Sequence, residues 1–245
     1  MILNQNEIHL WFIPIDNFLT EVDSLYPFLS KEEILKSGKF YSDNDKNKFI
    51  ILRSILRRIL GDYLETTPGD IRFKNNHFGK PFLHPDSETD KINFNLSHSG
   101  NYGVYAFSRE KEIGIDTEKI RAVGDMNAMA KRFFSSLECE TLMSLPEEKQ
   151  MNSFFRCWTM KEAYVKACGK GFSLPLDKFS IDFMSETPKL LNVDWDQEDI
   201  NRWQIYSLDS PEGYITSLAA EGNDHKIIYK SMNEEFTPLE TLSGS

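Results

Sequence analysis

Cysteine is scarce in this chain. The three present, Cys139, Cys157 and Cys168, are odd in number and form no CxxC pair. A disulfide framework or a cysteine-ligated zinc site is therefore not expected. The five histidines show neither HxxxH nor HxH spacing, which sets histidine-based zinc chemistry aside. No apolar run is long enough to cross a bilayer. The opening MILNQNEIHLWFIP lacks the basic start and apolar stretch of a secretory signal, so a cytoplasmic protein is expected. Positive charge is also short. A formal net charge of −10 argues against nucleic acid or an anionic membrane as main partner, but is compatible with a local basic pocket for a small polyanion. The chain has no GxSxG elbow, no Walker GxxxxGK[ST] motif and no Pro/Ser linker.

What is present is ordinary globular material. With 245 residues, 40% of them hydrophobic and 27% charged, the chain can build one or two domains with an ample core. Residues 7–15 read as a strand and 31–40 as a short helix. A long helix follows Ser42, which caps it with Asp45 three residues on. Its apolar positions Phe49, Leu52, Ile55, Leu56, Ile59 and Tyr63 recur near helical spacing. The period then shifts to two. INFNLSHSG and NYGVYAFS form paired strands around a turn near Ser99–Asn101, and EIGIDTE forms a third. Two short helices occupy 124–145, with Ser135 and Glu138 as a capping box. A long helix over 147–168 stops at Gly169. FSIDF, RWQIYSL and YITSLAA are then strands, the last two separated by the turn DSPEG. The order helix, strands, helix, strands occurs twice, which predicts an α+β fold of two similar halves. The expected division is 1–119, 120–240 and a disordered tail at 241–245.

Four motifs carry the chemistry. In Gly114-Ile115-Asp116-Thr117-Glu118, the two acids lie on one face of a strand. They read either as exposed acids at a strand end or as oxygen ligands for Mg²⁺, and the flanking Ile113 and Ile115 favour the second reading. In Trp158-Thr159-Met160-Lys161-Glu162-Ala163-Tyr164-Val165-Lys166, the spacing puts Trp158, Glu162 and Lys166 on one helical face with Lys161 alongside. That face is either a solvated ion-pair stripe or a half-buried functional one, and the Trp favours the latter. Asn95-Leu96-Ser97-His98-Ser99-Gly100 could be a nucleophile–base pair, a phosphate-binding turn or a plain hairpin turn. Gly79-Lys80-Pro81 is similarly open, and Gly169-Lys170-Gly171 reads as a helix stop.

Taken in order, GKP, NLSHSG, GIDTE and WTMKEAYVKACGKG resemble the 4′-phosphopantetheinyl transferases. The closer likeness is to the larger, pseudodimeric class typified by the activator of surfactin synthetase. The diagnostic forms (I/V)G(I/V)DxE and WxxKEAxxKxxGxG are both present, and the resemblance runs over roughly residues 1–220. It implies two fused α+β halves with pseudo-two-fold symmetry and a coenzyme A cleft between them, acting as a monomer. It implies Mg²⁺, or Mn²⁺ on the same oxygens, held by Asp116, Glu118 and Glu162. Thr117 departs from the usual apolar residue.

The resemblance also places coenzyme A phosphates on Ser97, His98, Gly79 and Lys80, with His98 at the 3′-phosphate. Lys36 and Lys48 lie at the same end, Lys48 where Arg is common. Lys166 lies against the diphosphate. A further basic position is replaced by Glu33. The implied reaction moves the phosphopantetheine arm to a serine of an apo acyl or peptidyl carrier protein, with Glu162 as base and Lys166 aiding departure of 3′,5′-ADP. Trp158 is expected to be structural. Met126, Met129, Phe133 and Phe134 read either as carrier-binding surface or as packing. Two other functions fit the same residues: a Mg²⁺-dependent nucleotide pyrophosphate hydrolase, and a non-catalytic module binding coenzyme A or carrier proteins.

Overall fold

The computed structural model describes residues 1–84 and 92–232. The first part of the chain forms β1 (Glu7–Pro14), α1 (Val22–Leu25), α2 (Lys31–Ser37), α3 (Asp43–Leu64), β2 (Phe73–Asn75), β3 (Pro81–Leu83), β4 (Ile92–Ser99) and β5 (Tyr102–Arg109). The second forms β6 (Ile113–Lys119), α4 (Met126–Phe133), α5 (Ser136–Met143), α6 (Glu147–Cys168), β7 (Phe179–Ile181), β8 (Leu190–Val193), α7 (Asp199–Arg202), β9 (Trp203–Leu208), β10 (Tyr214–Glu221) and β11 (Lys226–Lys230). The expected tail at 241–245 lies outside the described residues.

The two long helices form where their end signals stand. Ser42 accepts a hydrogen bond from the Asp45 amide at the start of α3. The helix α6 begins after Pro146 with Glu147 and Glu148 in its first turn, which complements the helix dipole, and stops at Gly169 in the left-handed region. The capping box of Ser135 and Glu138 starts α5.

Two antiparallel units repeat. In the first, β1 pairs with β5 and β5 with β4; in the second, β6 pairs with β10 and β10 with β9. Each unit runs strand, helices ending in a long one of 22 residues, a small hairpin, then two strands. EIGIDTE therefore does not extend the β4–β5 hairpin. It opens the second unit as β1 opens the first, and the division in backbone pairing falls between Arg109 and Ile113. Strand β11, absent from the sequence reading, adds in parallel to β1, so the end of the second unit ties back to the first sheet.

Packing follows this plan. The apolar stripe of α3, including Ile55 and Ile59, is buried with Trp11, Tyr105 and Phe107 of the first sheet. The helix α6 buries Met160, Ala163 and Tyr164 with Ile205 and Ala219 of the second. A third cluster, Ile8, Leu10, Val104, Ile113, Ile115 and Leu218, lies between the two sheets. The alternation along β6 thus sends Ile113 and Ile115 into the seam and leaves Gly114, Asp116 and Glu118 on the other face.

Candidate active site

Helix α6 lies directly over β6, and Gly114 is the reason it can. A Cβ there would stand 2.1 Å from the Ala163 carbonyl oxygen and 2.2 Å from the Ala167 nitrogen, so only glycine lets the backbones approach this closely. That contact brings the acids of β6 to the functional face of α6. Lys166 Nζ donates to Asp116 Oδ1 at 2.6 Å, to Ser97 Oγ at 3.0 Å and to the Ile115 carbonyl at 3.2 Å. Ser97 Oγ donates to the same Asp116 Oδ1 at 2.8 Å, and Ser99 Oγ donates to Glu118 Oε2 at 2.6 Å. Asp116 is only 5% exposed, yet its Oδ2 is buried with no hydrogen-bond partner.

The electrostatics are those of crowded acids. Burial raises the pKa of Glu162, and the neighbouring Asp116 and Glu118 raise it further against the opposing pull of Lys166. Burial likewise raises Glu118, with Asp116 adding to the rise and the Ser99 hydrogen bond opposing it. Carboxylates held together in low dielectric, one with an orphaned oxygen, favour an added cation, and oxygen donors suit Mg²⁺ or Mn²⁺. The three are not a closed ligand set: among the described residues no three His, Cys, Asp or Glu side chains already converge on a single metal position. The chemistry of the donors fits a divalent cation, with Asp116 Oδ1 presently engaged by Lys166.

Glu162 and Lys166 also line a cleft of about 670 Å³, together with Gly79, Phe78, Phe133, Trp158 and Leu174. Trp158 stacks on Phe154 and meets Phe133 edge-on, so it supports the helix face as expected while also forming cleft wall. Lys161 does not sit alongside. It turns into the core, where its ammonium donates to Glu138 at 2.6 and 2.9 Å and to the Phe179 carbonyl at 2.7 Å.

The expected phosphate ligands are distributed differently from one another. His98 stands at the surface, on the strand face opposite Ser97; partial desolvation of the ring, then Lys166 and Lys48, lower its pKa. Lys48 Nζ donates to the Gly100 carbonyl at 2.9 Å, so α3 holds the turn that follows His98. The same turn is gripped by Tyr214, whose hydroxyl accepts from the Asn101 amide at 3.0 Å. Lys36 is exposed, its ammonium 5.2 Å from the centre of the Phe49 ring.

Ser97 and Lys80 also have partners within the protein. Ser97 spends its hydroxyl on Asp116. Lys80 lines the cleft, but its ammonium donates to Glu112 at 2.9 Å and to the carbonyls of Ile113 and Ala167, each at 3.2 Å. Glu33 is a structural partner of Arg57 at 2.6 Å and of Arg53 at 3.3 Å. Thr117, the departure in the strand motif, pairs its hydroxyl with that of Thr216 at 2.8 Å. Phe134 is buried, and Met126, Met129 and Phe133 pack partly against the α6 core.

Sequence reasoning named Asn95 and Ser99 only within a motif, without a role of their own, and missed Tyr214. The period-two polar pattern Asn95, Ser97, Ser99 was readable, but nothing in it tells which strand stands beside it.

Comparison with known proteins shows the family. The family model described as the 4′-phosphopantetheinyl transferase superfamily matches residues 112–219, and that of the 4′-phosphopantetheinyl transferase N-terminal domain matches 17–110. The two meet where the strand pairing divides. The chain is 36% identical over 220 residues to the 4′-phosphopantetheinyl transferase HetI of Nostoc sp., covering 90% of each chain. It is 35% identical over 161 residues to 4′-phosphopantetheinyl transferase Sfp of Bacillus subtilis, covering 66% of this chain and 69% of that one. It is 28% identical over 228 residues to the human L-aminoadipate-semialdehyde dehydrogenase-phosphopantetheinyl transferase, covering 87% of this chain and 72% of the other. With both halves matched and the site's acids and lysine in the two family signatures, this chain belongs to the 4′-phosphopantetheinyl transferases.

Proposed function

We propose that this enzyme moves the 4′-phosphopantetheine arm of coenzyme A to a serine of an apo acyl or peptidyl carrier protein, in the manner of a holo-carrier-protein synthase, with Mg²⁺ required and 3′,5′-ADP released. The observation that carries the reading is the juxtaposition of Asp116, Glu162 and Lys166, delivered by β6 and α6 to the edge of one cleft. Asp116, Glu118 and Glu162 would hold the metal. When bound there, a divalent cation would supply charge neutralisation for the diphosphate.

The residues divide the remaining work. The carrier serine oxygen attacks the phosphorus that bears the pantetheine arm, and the bond from that phosphorus to the oxygen of 3′,5′-ADP breaks. Glu162, whose raised pKa suits it to take a proton, accepts the one leaving the serine hydroxyl. Lys166 offsets charge on the departing phosphate and can return a proton to it. His98, beside the turn that Lys48 holds, receives the 3′-phosphate. Lys36 adds positive charge at the same end. The apolar wall of Phe78, Phe133, Trp158 and Leu174 suits the pantetheine arm. Positioning and electrostatics supply the acceleration, as for other phosphoryl transfers.

A monomer in the cytoplasm fits this reading, because both repeats stand in one chain. The acidic net charge of −10 fits a protein partner rather than nucleic acid or membrane.

The test is the intact mass of an apo carrier protein after incubation with the enzyme, coenzyme A and Mg²⁺, beside an EDTA control. The expected result is a metal-dependent gain of one phosphopantetheine. Release of 3′,5′-ADP with an unmodified carrier would replace this reading with pyrophosphate hydrolysis.

A further inference from the structure

Strands β4 and β6 belong to different sheets, and among the described residues they share no backbone ladder. Side chains make the join instead, from alternate positions of β4. Asn95 Oδ1 accepts from the Ile115 amide at 2.9 Å, which sets the register. Ser97 Oγ then meets Asp116 Oδ1 at 2.8 Å, and Ser99 Oγ meets Glu118 Oε2 at 2.6 Å. Period-two alternation on both strands brings each serine to one acid.

The direction of both hydrogen bonds is fixed by what else each hydroxyl does. Lys166 Nζ donates into Ser97 Oγ at 3.0 Å, and the Lys119 amide donates into Ser99 Oγ at 3.2 Å. An ionised carboxylate can only accept, so each serine directs its one proton at its carboxylate while the incoming N–H occupies one of the hydroxyl's lone pairs. A charge-assisted bond of this kind orients the acceptor as well as stabilising its charge. On Asp116 it takes one oxygen and leaves Oδ2, buried and unpartnered, as the free ligand atom.

We infer that Ser97 and Ser99 are positioning residues that aim the carboxylates of Asp116 and Glu118 at the divalent cation, an inference that rests on the reading of those acids as metal ligands. For Ser97 this support stands beside the coenzyme A contact that family resemblance implies. Outer partners of this sort set ligand orientation and are worth about 10–100-fold in metal affinity.

The test uses the full-length protein without coenzyme A, titrated with Mn²⁺ and followed by electron paramagnetic resonance of free Mn²⁺. Ser99→Ala is the leading variant, because Ser99 is only partly buried and its loss leaves the core intact. It should weaken Mn²⁺ binding about 10–100-fold, and Ser97→Ala should do the same. Ser99→Thr, which keeps the hydroxyl on a β-favouring residue, should restore most of the affinity. Thr216→Val is the control for a merely structural effect. It removes the buried hydroxyl pair with Thr117, so it should lower the melting temperature and leave Mn²⁺ binding unchanged. Wild-type affinity in folded Ser99→Ala and Ser97→Ala would overturn the inference and leave the serines as a stitch between sheets. No binding by the wild type would overturn the metal reading itself.

Discussion

Lys166 on α6 reaches Asp116 on β6, with Nζ 2.6 Å from Oδ1. The lysine side chain keeps 29% of its surface in contact with solvent and the aspartate 7%. One partner is thus accessible from the cleft while the other is fixed beneath it. On the proposed reading, a cation arriving at Asp116 would compete with Lys166 for the same carboxylate, and a lysine so displaced would be free to turn toward the phosphate charge.

From this relationship, Asp116→Ala and Glu162→Ala should each abolish carrier modification while the protein stays folded. Lys166→Ala should lower kcat by at least about 100-fold, the usual effect of deleting one group that stabilises transition-state charge. Intact mass of the carrier and circular dichroism of each variant make the check. Full activity in folded Asp116→Ala would remove the metal assignment.

His98→Ala should act on coenzyme A recognition more than on turnover. Wild-type enzyme is expected to prefer coenzyme A to 3′-dephospho-coenzyme A in kcat/KM, and the variant to lose most of that preference. The pH dependence has a definite sign. Free His98 is held below its ordinary value of 6.5, first by partial desolvation and then by Lys166 and Lys48. A neighbouring phosphate dianion raises the pKa in the complex, so binding takes up a proton. The preference for coenzyme A therefore grows as pH falls through the complex's pKa and levels off below that of the free protein. Taking the ratio of the two substrates cancels the pH dependence of the carboxylates. An equally pH-dependent preference in His98→Ala would exclude the histidine.

Lys161 and Glu138 form an ion pair with side chains 0% and 1% exposed, joining α6 to α5. Glu138 Oε1 also accepts from the Ile181 amide at 2.8 Å. Removing either partner strands a buried charge, so Lys161→Met and Glu138→Gln should each cost about 3–5 kcal/mol. The double variant should recover much of that loss. Chemical denaturation of the three proteins measures it, and additive losses in the double variant would show that the charges are not coupled.

Gly114→Ala should damage both stability and transfer. The added methyl meets backbone atoms of α6 that cannot rotate away, so helix and strand must separate. Overpacking at such a contact costs about 1–3 kcal/mol or more, and the separation also draws Asp116 away from Lys166. A variant with wild-type melting temperature and kcat would show that the two elements can part without consequence.

Much of this was legible in sequence because it is local. Ser42, Ser135 and Gly169 mark helix ends through bonds to residues a few positions away, and the structure places the helices where those signals stand. The pair Asp116 and Glu118 follows from the period of a strand, and Glu162 with Lys166 from the period of a helix. Lys161 shows where such reading fails. One residue from Glu162, it points about 100° away around the helix and into the core, where the countercharge of Glu138, 23 residues distant, and the Phe179 carbonyl make that burial tolerable. Strand β6 fails for the same reason. Nothing inside EIGIDTE distinguishes β5 from β10 as its neighbour.

The sequence by itself determined the long helices, the principal strands, the two signatures and therefore the family, since capping, periodicity and motif spacing are properties of neighbouring residues. The tertiary structure decided which faces meet. It laid α6 on Gly114, set Asn95, Ser97 and Ser99 beside β6, engaged Lys80 with Glu112, and left Asp116 Oδ2 without a partner. Those outcomes depend on how two sheets share one buried seam, and burial couples residues that the chain keeps far apart.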